Sequence, residues 1–236
     1  MLTLDPASEL AVLARALYRS GYSDEDDGHI TYRHPDGAFL ALPWEMGWDE
    51  VRASDIVVID ERGDQIDGRW TPPPAIRLHL EYHSMHPRAD VTIHQHPQYA
   101  TVFSALGRIP PAYDQRSAFL ADEDIALYDD YAGPVDDASA ARQAVAAFGK
   151  ASCTLLQNHG VFVVGDTVAQ AYGRAVALER RCRQAWHVEA VGGGTVMPLP
   201  DQQDLRRFLS PSGGVAPFNW SWAIRREVRL GPDVLN

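Results

Sequence analysis

Apolar residues recur at helical spacing in five stretches of the chain, and two of these stretches carry clear boundary signals. Asp5 and Pro6 open the first stretch and Gly21 follows it, as expected of a helix with an N-terminal cap and a C-terminal glycine. Thr167 and Gln170 form a capping box at the start of the longest stretch. We therefore predict helices at residues 6–20, 75–86, 99–106, 139–148 and 168–191.

Shorter runs rich in β-branched residues alternate with these helices and have the character of strands. Residues 28–33 and 38–42 flank the turn sequence PDG at residues 35–37, which predicts a hairpin. Further strands are predicted at residues 56–60, 91–96 and 153–156, the last of which continues at residues 161–164 after an interruption at residues 157–160. Beyond Met197 the pattern predicts no element. Interleaved helices and strands over 236 residues indicate one α/β domain, residues 1–236.

The charge balance excludes two classes of partner. Lysine and arginine total 21 against 32 aspartates and glutamates, a formal net charge of -11, so neither nucleic acid nor an anionic membrane surface is expected. No apolar run reaches the roughly 18 residues of a membrane span, and the first residues do not resemble a signal peptide. Cys153 and Cys182 make no disulfide framework. We expect a cytoplasmic protein that acts on a small molecule.

Two histidines at strand spacing are the strongest chemical signal. Side chains two residues apart in a strand share a face, so His94 and His96 present their imidazoles side by side. His159 stands in an Asn-His-Gly break between two predicted strands, where the chain can turn and aim a third imidazole. Three neutral imidazoles suit zinc, iron or manganese. Taken alone, a His-x-His strand is more often a surface pair, so the surrounding sequence decides.

Several ordered segments resemble the class II aldolase/adducin family. Residues 87–96 (PRADVTIHQH) and 155–160 (LLQNHG) are similar to the family's two metal-ligand motifs. Residues 28–33 (GHITYR) resemble its N-terminal motif, and residues 75–83 resemble the helix before the metal-binding strand. The match covers roughly residues 10–190 and is closer to the adducin-like branch than to the sugar-phosphate branch.

This resemblance implies a three-layer α/β/α sandwich with a mainly antiparallel central sheet. It implies a homotetramer with active sites between subunits, and a C-terminal extension at residues 197–236. It also implies one divalent metal ion per subunit on His94, His96 and His159. Zinc is the first choice, with Fe(II) and manganese as alternatives.

The chain departs from the sugar-phosphate enzymes at the positions that carry their chemistry. Ala75 stands where those enzymes have a proton-accepting glutamate, and a methyl group can neither bind a metal nor move a proton. Pro73 and Pro74 replace a pair of serines that grip phosphate, and His29 replaces an asparagine of the second phosphate loop. A phosphorylated sugar is therefore not expected, and a hydroxy, keto or aromatic acid fits better.

These features favour a metal-dependent carbon-carbon lyase, a retro-aldol enzyme or a decarboxylase that passes through an enolate. The same three histidines would also serve a non-heme Fe(II) oxygenase, since open coordination positions accept dioxygen. A third hypothesis is a non-catalytic, adducin-like assembly module, which the missing glutamate favours. The intact histidine motifs argue against that third hypothesis.

Further candidates follow from the alignment with the family, each with a structural alternative. His79 and Tyr131 are proposed as catalytic, with Tyr131 acting from an adjacent subunit; the alternatives are core and strand packing. Substrate contacts are expected from His29, Trp44, Gln115 and Arg116. Arg116 would clamp a carboxylate or form a surface ion pair, and Trp44 would wall the pocket or fill an interface. The group that replaces the carboxylate at position 75 stays open.

Overall fold

A computed structural model describes residues 3–25, 27–34, 36–130, 137–209 and 219–236. Its strands are β1 (His29–Arg33), β2 (Phe39–Ala41), β3 (Val57–Ile59), β4 (Gln65–Asp67), β5 (Val91–Gln95), β6 (Ile125–Tyr128), β7 (Cys153–Leu156) and β8 (Gly160–Gly165). They form one 8-stranded sheet in the order β4-β3-β2-β1-β5-β8-β7-β6. Every neighbouring pair is antiparallel except β6 with β7.

Helices cover both faces of this sheet. They are α1 (Pro6–Tyr18), α2 (Arg77–Met85), α3 (Gln98–Ala105), α4 (Ala138–Phe148), α5 (Val168–Ala190), α6 (Leu199–Leu209) and α7 (Trp220–Leu230). On one face, α1, α3, α5 and α7 pack around the main core. On the other, α2 and α4 cover a second cluster with the opposite side chains of β7 and β8. The predicted three-layer α/β/α sandwich with a mainly antiparallel sheet is confirmed.

Strand β5 divides its side chains between the two faces. Val91 and Ile93 are fully buried in the main core, whereas Thr92 points to the opposite face and bonds to His79 of α2. Because side chains alternate between faces along a strand, His94 points to the same face of the sheet as Thr92. Pairing of β5 with β1 and β8 places His94 opposite His29 on one side and Phe162 on the other. The two-residue spacing of the sequence thus sets which face carries the chemistry.

Three local predictions need correction. Ala75 lies outside α2, which begins at Arg77, because Ala75 has a φ of 54° and a left-handed residue cannot continue a right-handed helix. Residues 153–165 form an antiparallel hairpin, not an interrupted strand. Strands β4 and β6 were not predicted; both are short, and β4 is fully exposed, so neither leaves a strong apolar pattern.

The segment after Met197 contains two helices that the pattern did not predict. In α7, Trp220, Ala223 and Ile224 join the main core. Trp220 also donates a hydrogen bond to Glu9 of α1 at 3.2 Å. The helix therefore packs on its own chain. No helix in the described part of the chain is long and apolar enough to cross a membrane.

Candidate metal centre

His94, His96 and His159 converge on one point at the C-terminal end of β5, which His96 directly follows. Their ring centroids lie 5.1, 4.6 and 4.7 Å apart. One nitrogen from each ring lies within 4.8 Å of the others, which is a spacing from which three imidazoles can share an ion. The pair on β5 follows from the strand period, and the third ring comes from the β7–β8 turn.

The β7–β8 turn is shaped by two residues next to His159. Asn158 adopts a left-handed φ of 58°, a conformation that asparagine tolerates better than most residues. Gly160 opens β8 against the end of β5, where an added Cβ would lie 2.5 Å from the carbonyl oxygen of Gln95 and 2.6 Å from Cδ2 of His96. Only glycine allows this approach, which brings His159 to the other two rings.

Hydrogen bonds behind the rings determine which nitrogens face the centre. Nδ1 of His94 lies 2.9 Å from the carbonyl oxygen of Val161, which can only accept, so Nδ1 donates and Nε2 keeps its lone pair. Nδ1 of His96 donates to the carboxylate of Asp24 at 2.7 Å. Nε2 of His96 is buried and, within the described residues, has no hydrogen-bond partner. An unpartnered buried lone pair beside two further imidazoles fits a divalent metal ion.

The electrostatics of the centre also suit a metal. Burial holds the pKa of His94 well below its ordinary value of 6.5, and the neighbouring imidazoles lower it further. Burial, followed by the charge of His96, lowers the pKa of His159 to about 4. These two rings are therefore neutral at pH 7, and a neutral imidazole is the form that binds a metal ion.

A cavity of about 160 Å³ adjoins the three histidines. One wall is apolar or aromatic and consists of Leu78, Tyr128, Ala144, Phe148 and Leu156. The remainder consists of the three metal-site histidines with Asp27, Gly28, His29, Ala75 and His79. Among the described residues that line it there is no lysine or arginine.

Besides the three metal ligands, two of the predicted catalytic and substrate-binding residues line this cavity. His29 is buried, and its ring centroid lies 5.4 Å from that of His94. Burial lowers the pKa of His29 to about 4, with smaller contributions from nearby imidazoles, so the ring is neutral. His79 is also buried, with its ring centroid 5.8 Å from that of His29. Ala75 places its methyl group in the same cavity.

The other predicted site residues lie elsewhere. Trp44 is half-buried with its ring centroid 6.2 Å from that of His29, behind the lining residues. Arg116 lines a separate cleft of about 980 Å³ that also reaches His96. Gln115 is exposed and lines neither space. Tyr131 lies outside the described residues.

Sequence reasoning missed two residues of the centre. Asp24 bonds to His96 from 72 positions earlier in the chain, and nothing in the acidic run around it distinguishes this carboxylate. Tyr128 was not among the predicted site residues, yet its ring lies in the cavity wall, packed edge-on against Phe148 at 5.6 Å between ring centroids. It lies at the end of β6, level with the end of β7, a relationship that appears only in the structure because β6 itself was not predicted.

Comparison with known proteins agrees with this architecture. A 3,4-dihydroxyphthalate decarboxylase of Terrabacter sp. is 29% identical over 235 residues, covering 94% of this chain and 95% of that protein. A 4-hydroxy-3-prenylphenylpyruvate oxygenase/4-hydroxy-3-prenylbenzoate synthase of Streptomyces roseochromogenus is 29% identical and covers 80% and 69%. The structure of an L-fuculose 1-phosphate aldolase from Glaciozyma antarctica superposes with a TM-score of 0.85 at 22% identity, covering 98% and 91%.

The family model described as Class II Aldolase and Adducin N-terminal domain matches residues 8–186, which include all three histidines of the centre. The chain belongs to the class II aldolase and adducin family.

Proposed function

We propose that this protein is a divalent-metal-dependent carbon-carbon lyase, a decarboxylase or retro-aldol enzyme, for a non-phosphorylated hydroxy or keto acid. The observation that carries the proposal is the cavity beside the three histidines. Its described lining combines an apolar wall with neutral imidazoles and contains no lysine or arginine. The family and its decarboxylase relative support lyase chemistry of this kind.

The cavity does not suit a phosphorylated substrate. A phosphate dianion needs convergent cationic or N–H donors. Pro73 and Pro74 have no N–H to donate, and Ala75 offers only a methyl group to the cavity. The charged residue in the lining is Asp27, which would repel a dianion. A ring or short carbon skeleton, by contrast, can pack against Leu78, Phe148 and the other apolar side chains.

His94, His96 and His159 would hold the metal, the first two through Nε2. When bound, a divalent cation supplies a positive charge that orients a carboxylate or hydroxyl and stabilises the negative charge of an enolate. Zinc is our first choice, with Fe(II) and manganese as alternatives. Three protein ligands leave positions open, which a catalytic site requires.

The chain's own residues would bind the substrate and exclude water. The apolar wall removes water from around the reacting carbon, which strengthens every electrostatic interaction in the cavity. In decarboxylation the carboxyl carbon leaves as carbon dioxide, and the electron pair of the broken bond takes up a proton. In retro-aldol cleavage the substrate hydroxyl loses a proton, a carbonyl forms, and the released carbon is protonated.

Three earlier hypotheses remain part of this proposal. Tyr131 would donate a proton from an adjacent subunit in a homotetramer. His29 would contact the substrate in the cavity, whereas Trp44 lies outside the lining and would support the ring of His29, with 6.2 Å between the ring centroids. Arg116 and Gln115 would contribute only across the subunit boundary, because within one chain they lie outside the cavity.

A second candidate is oxidative chemistry with Fe(II) and dioxygen. It is favoured by the similarity to the Streptomyces protein, whose name includes both an oxygenase and a synthase activity. A non-catalytic assembly module is the third possibility. It has no need for three imidazoles whose ligand atoms lie within 4.8 Å of one another.

The first test is metal content, measured by inductively coupled plasma mass spectrometry on the wild type and on a His94→Ala/His96→Ala variant. We expect near-stoichiometric metal in the wild type and loss in the variant. Wild-type protein that binds none after anaerobic reconstitution with zinc, iron or manganese would exclude the lyase and support the assembly module.

The second test is turnover of hydroxybenzoic, 2-keto and 2-hydroxy acids, with a sugar phosphate for comparison, in air and without oxygen. Release of carbon dioxide or an aldehyde under anaerobic conditions supports the lyase. Turnover that needs dioxygen supports the oxidative candidate, and preference for the sugar phosphate contradicts the substrate class.

A further inference from the structure

We propose that His79 takes up and returns the substrate proton, and that a buried hydrogen-bond chain behind it fixes its tautomer. The chain consists of His79, Thr92, Thr31, His83 and the carbonyl oxygen of Ala89. This inference rests on the proposed lyase function and assigns the role that the missing carboxylate at position 75 leaves vacant.

The chain is buried and its contacts are short. Nδ1 of His79 lies 2.7 Å from Oγ1 of Thr92, which lies 2.7 Å from Oγ1 of Thr31. Oγ1 of Thr31 lies 2.8 Å from Nε2 of His83. Nδ1 of His83 lies 2.9 Å from the carbonyl oxygen of Ala89. All four side chains are at most 1% exposed.

The number of available hydrogens determines which group donates in each contact of this hydrogen-bond chain. The carbonyl of Ala89 can only accept, so His83 carries its hydrogen on Nδ1. Burial lowers the pKa of His83 to about 4, so the ring is neutral and its Nε2 must accept. The two hydroxyl groups then supply two hydrogens for three contacts: one must go to Nε2 of His83 and one must lie between the two hydroxyl oxygens.

No hydroxyl hydrogen is left for His79, and its Nδ1 must therefore carry one itself. The two longer cross-contacts, 3.3 Å from Thr31 to His79 and 3.4 Å from Thr92 to His83, do not change the count. Whichever threonine donates to which histidine, the two hydroxyl hydrogens cannot supply all three hydrogen bonds. Burial holds the pKa of His79 well below its ordinary value of 6.5, so the ring is neutral and its Nε2 is a bare lone pair.

That lone pair is directed to the candidate site. His79 lines the cavity, and Nδ1 is the nitrogen turned to the threonines, so Nε2 is the nitrogen left for the cavity. Nε2 is buried and has no hydrogen-bond partner in the described part of the chain. His79 does not belong to the described set whose ligand atoms lie within 4.8 Å of one another. It lies beside the metal ligands and is not one of them.

Both proposed reactions require a group that takes up a proton from the substrate and returns it. In retro-aldol cleavage Nε2 takes the hydroxyl proton of the substrate, the carbon-carbon bond breaks, and the same proton returns to the released carbon. This return would take the place of the proton donation suggested above for Tyr131. In decarboxylation of a hydroxy acid it takes the hydroxyl proton and delivers it to the carbon that loses carbon dioxide; solvent then restores the hydroxyl. No oxidant is consumed. Thr92, Thr31 and His83 are positioning residues, because they act only through the tautomer of His79.

The first experiment reads the tautomer and needs neither substrate nor metal. Long-range ¹H–¹⁵N correlation spectra of protein labelled at histidine nitrogen are compared with those of a His79→Gln variant to assign His79. We expect Nδ1 to be the protonated nitrogen and Nε2 the unprotonated one. Protonated Nε2 in the wild type would overturn the proposal.

The second experiment compares matched substitutions at the two threonines of the hydrogen-bond chain. Thr92→Val and Thr31→Val remove the hydroxyls at nearly constant shape, whereas Thr92→Ser and Thr31→Ser keep them. We expect the valine variants to give mixed tautomers and at least about a tenfold lower kcat, with KM and metal content unchanged, and the serine variants to match the wild type. Valine variants with wild-type kcat would exclude the positioning role.

The catalytic part is tested by His79→Gln, for which we expect kcat to fall by about 10²–10⁴-fold with metal content retained. Wild-type kcat in this variant would overturn the catalytic assignment. Loss of metal would instead make His79 a ligand, which also contradicts it. A metal-loaded wild type that turns over no acid would overturn the proposed function together with the catalytic assignment, while the spectra decide the tautomer separately.

Discussion

The carboxylate of Asp24 accepts a hydrogen bond from Nδ1 of His96 at 2.7 Å, across 72 positions of sequence. Such a carboxylate fixes the ring orientation and raises the basicity of the nitrogen that faces the metal. We therefore expect Asp24→Asn to weaken metal binding by about 10- to 100-fold. Competition with a chromophoric chelator measures this. Asp64→Asn, at an exposed aspartate remote from the centre, is the matched control, and equal affinities in the two variants would contradict the assignment.

Gly160→Ala should also disrupt the centre, by a steric route. The added Cβ would lie 2.5 Å from the carbonyl oxygen of Gln95 and 2.6 Å from the ring of His96. The backbone of Gln95 would have to move to relieve this clash. We expect loss of stoichiometric metal and a lower Tm. Gly149→Ala, where the added Cβ meets nothing within 4 Å, should retain its metal. Full occupancy in the Gly160 variant would show that the turn can shift without cost.

Ala75→Glu should restore a carboxylate to the cavity and thereby oppose an acidic substrate. The charge would repel the substrate carboxylate in a space of about 160 Å³ with no described lysine or arginine in its lining. We expect KM for the acid to rise at least about tenfold above that of Ala75→Gln, which has the same size without the charge. Equal KM values would mean that the substrate carboxylate lies away from position 75.

Buried histidines should make the metal-free protein less stable in acid. Burial lowers the pKa of His29 and of His83 from 6.5 to about 4. Between these values the unfolded chain binds more protons than the folded chain, so stability is full above about pH 6.5 and falls as the pH falls towards 4. Glu179 acts in the opposite direction, because burial raises its pKa to about 7. The histidines with a lowered pKa outnumber Glu179, so they determine the sign of the pH dependence of stability.

Urea unfolding of the metal-free protein at pH 7, 5.5 and 4.5 measures this dependence. His83 should contribute about 3 kcal/mol across the window at most, so His83→Gln should flatten the curve. An unfolding midpoint that stays constant from pH 7 to 4.5 would contradict the prediction.

Helix α7 should be part of the stable core. Trp220 is 8% exposed and bonds to Glu9, whereas Trp222, two residues later, is 49% exposed. We expect Trp220→Ala to lower the free energy of unfolding by about 3–5 kcal/mol, and Trp222→Ala by less than about 1 kcal/mol. Urea unfolding of both variants tests this. Similar losses would mean that α7 does not dock through Trp220.

The sequence alone determined the elements whose signals are local. The caps at Asp5 and Thr167 act on residues three positions away, and both hydrogen bonds are present. The pairing of His94 with His96 on one face follows from the strand period, and the turn at His159 follows from its Asn and Gly neighbours. The sandwich fold was expected from the resemblance of several ordered motifs to the family and not from these local signals.

Only the tertiary structure decided which distant side chains meet. Asp24 reaches His96, and Thr31 reaches His83, because β1 pairs with β5 and α2 packs over both, which no local spacing reveals. The apolar wall likewise joins β6, β7, α2 and α4. Helix α7 was missed although Trp220, Ala223, Ile224 and Val228 follow helical spacing and Asn219 caps the helix, so only its docking against α1 needed the tertiary structure. Periodicity is a property of neighbouring residues, whereas hydrogen bonds and burial across the chain depend on strand order and layer packing.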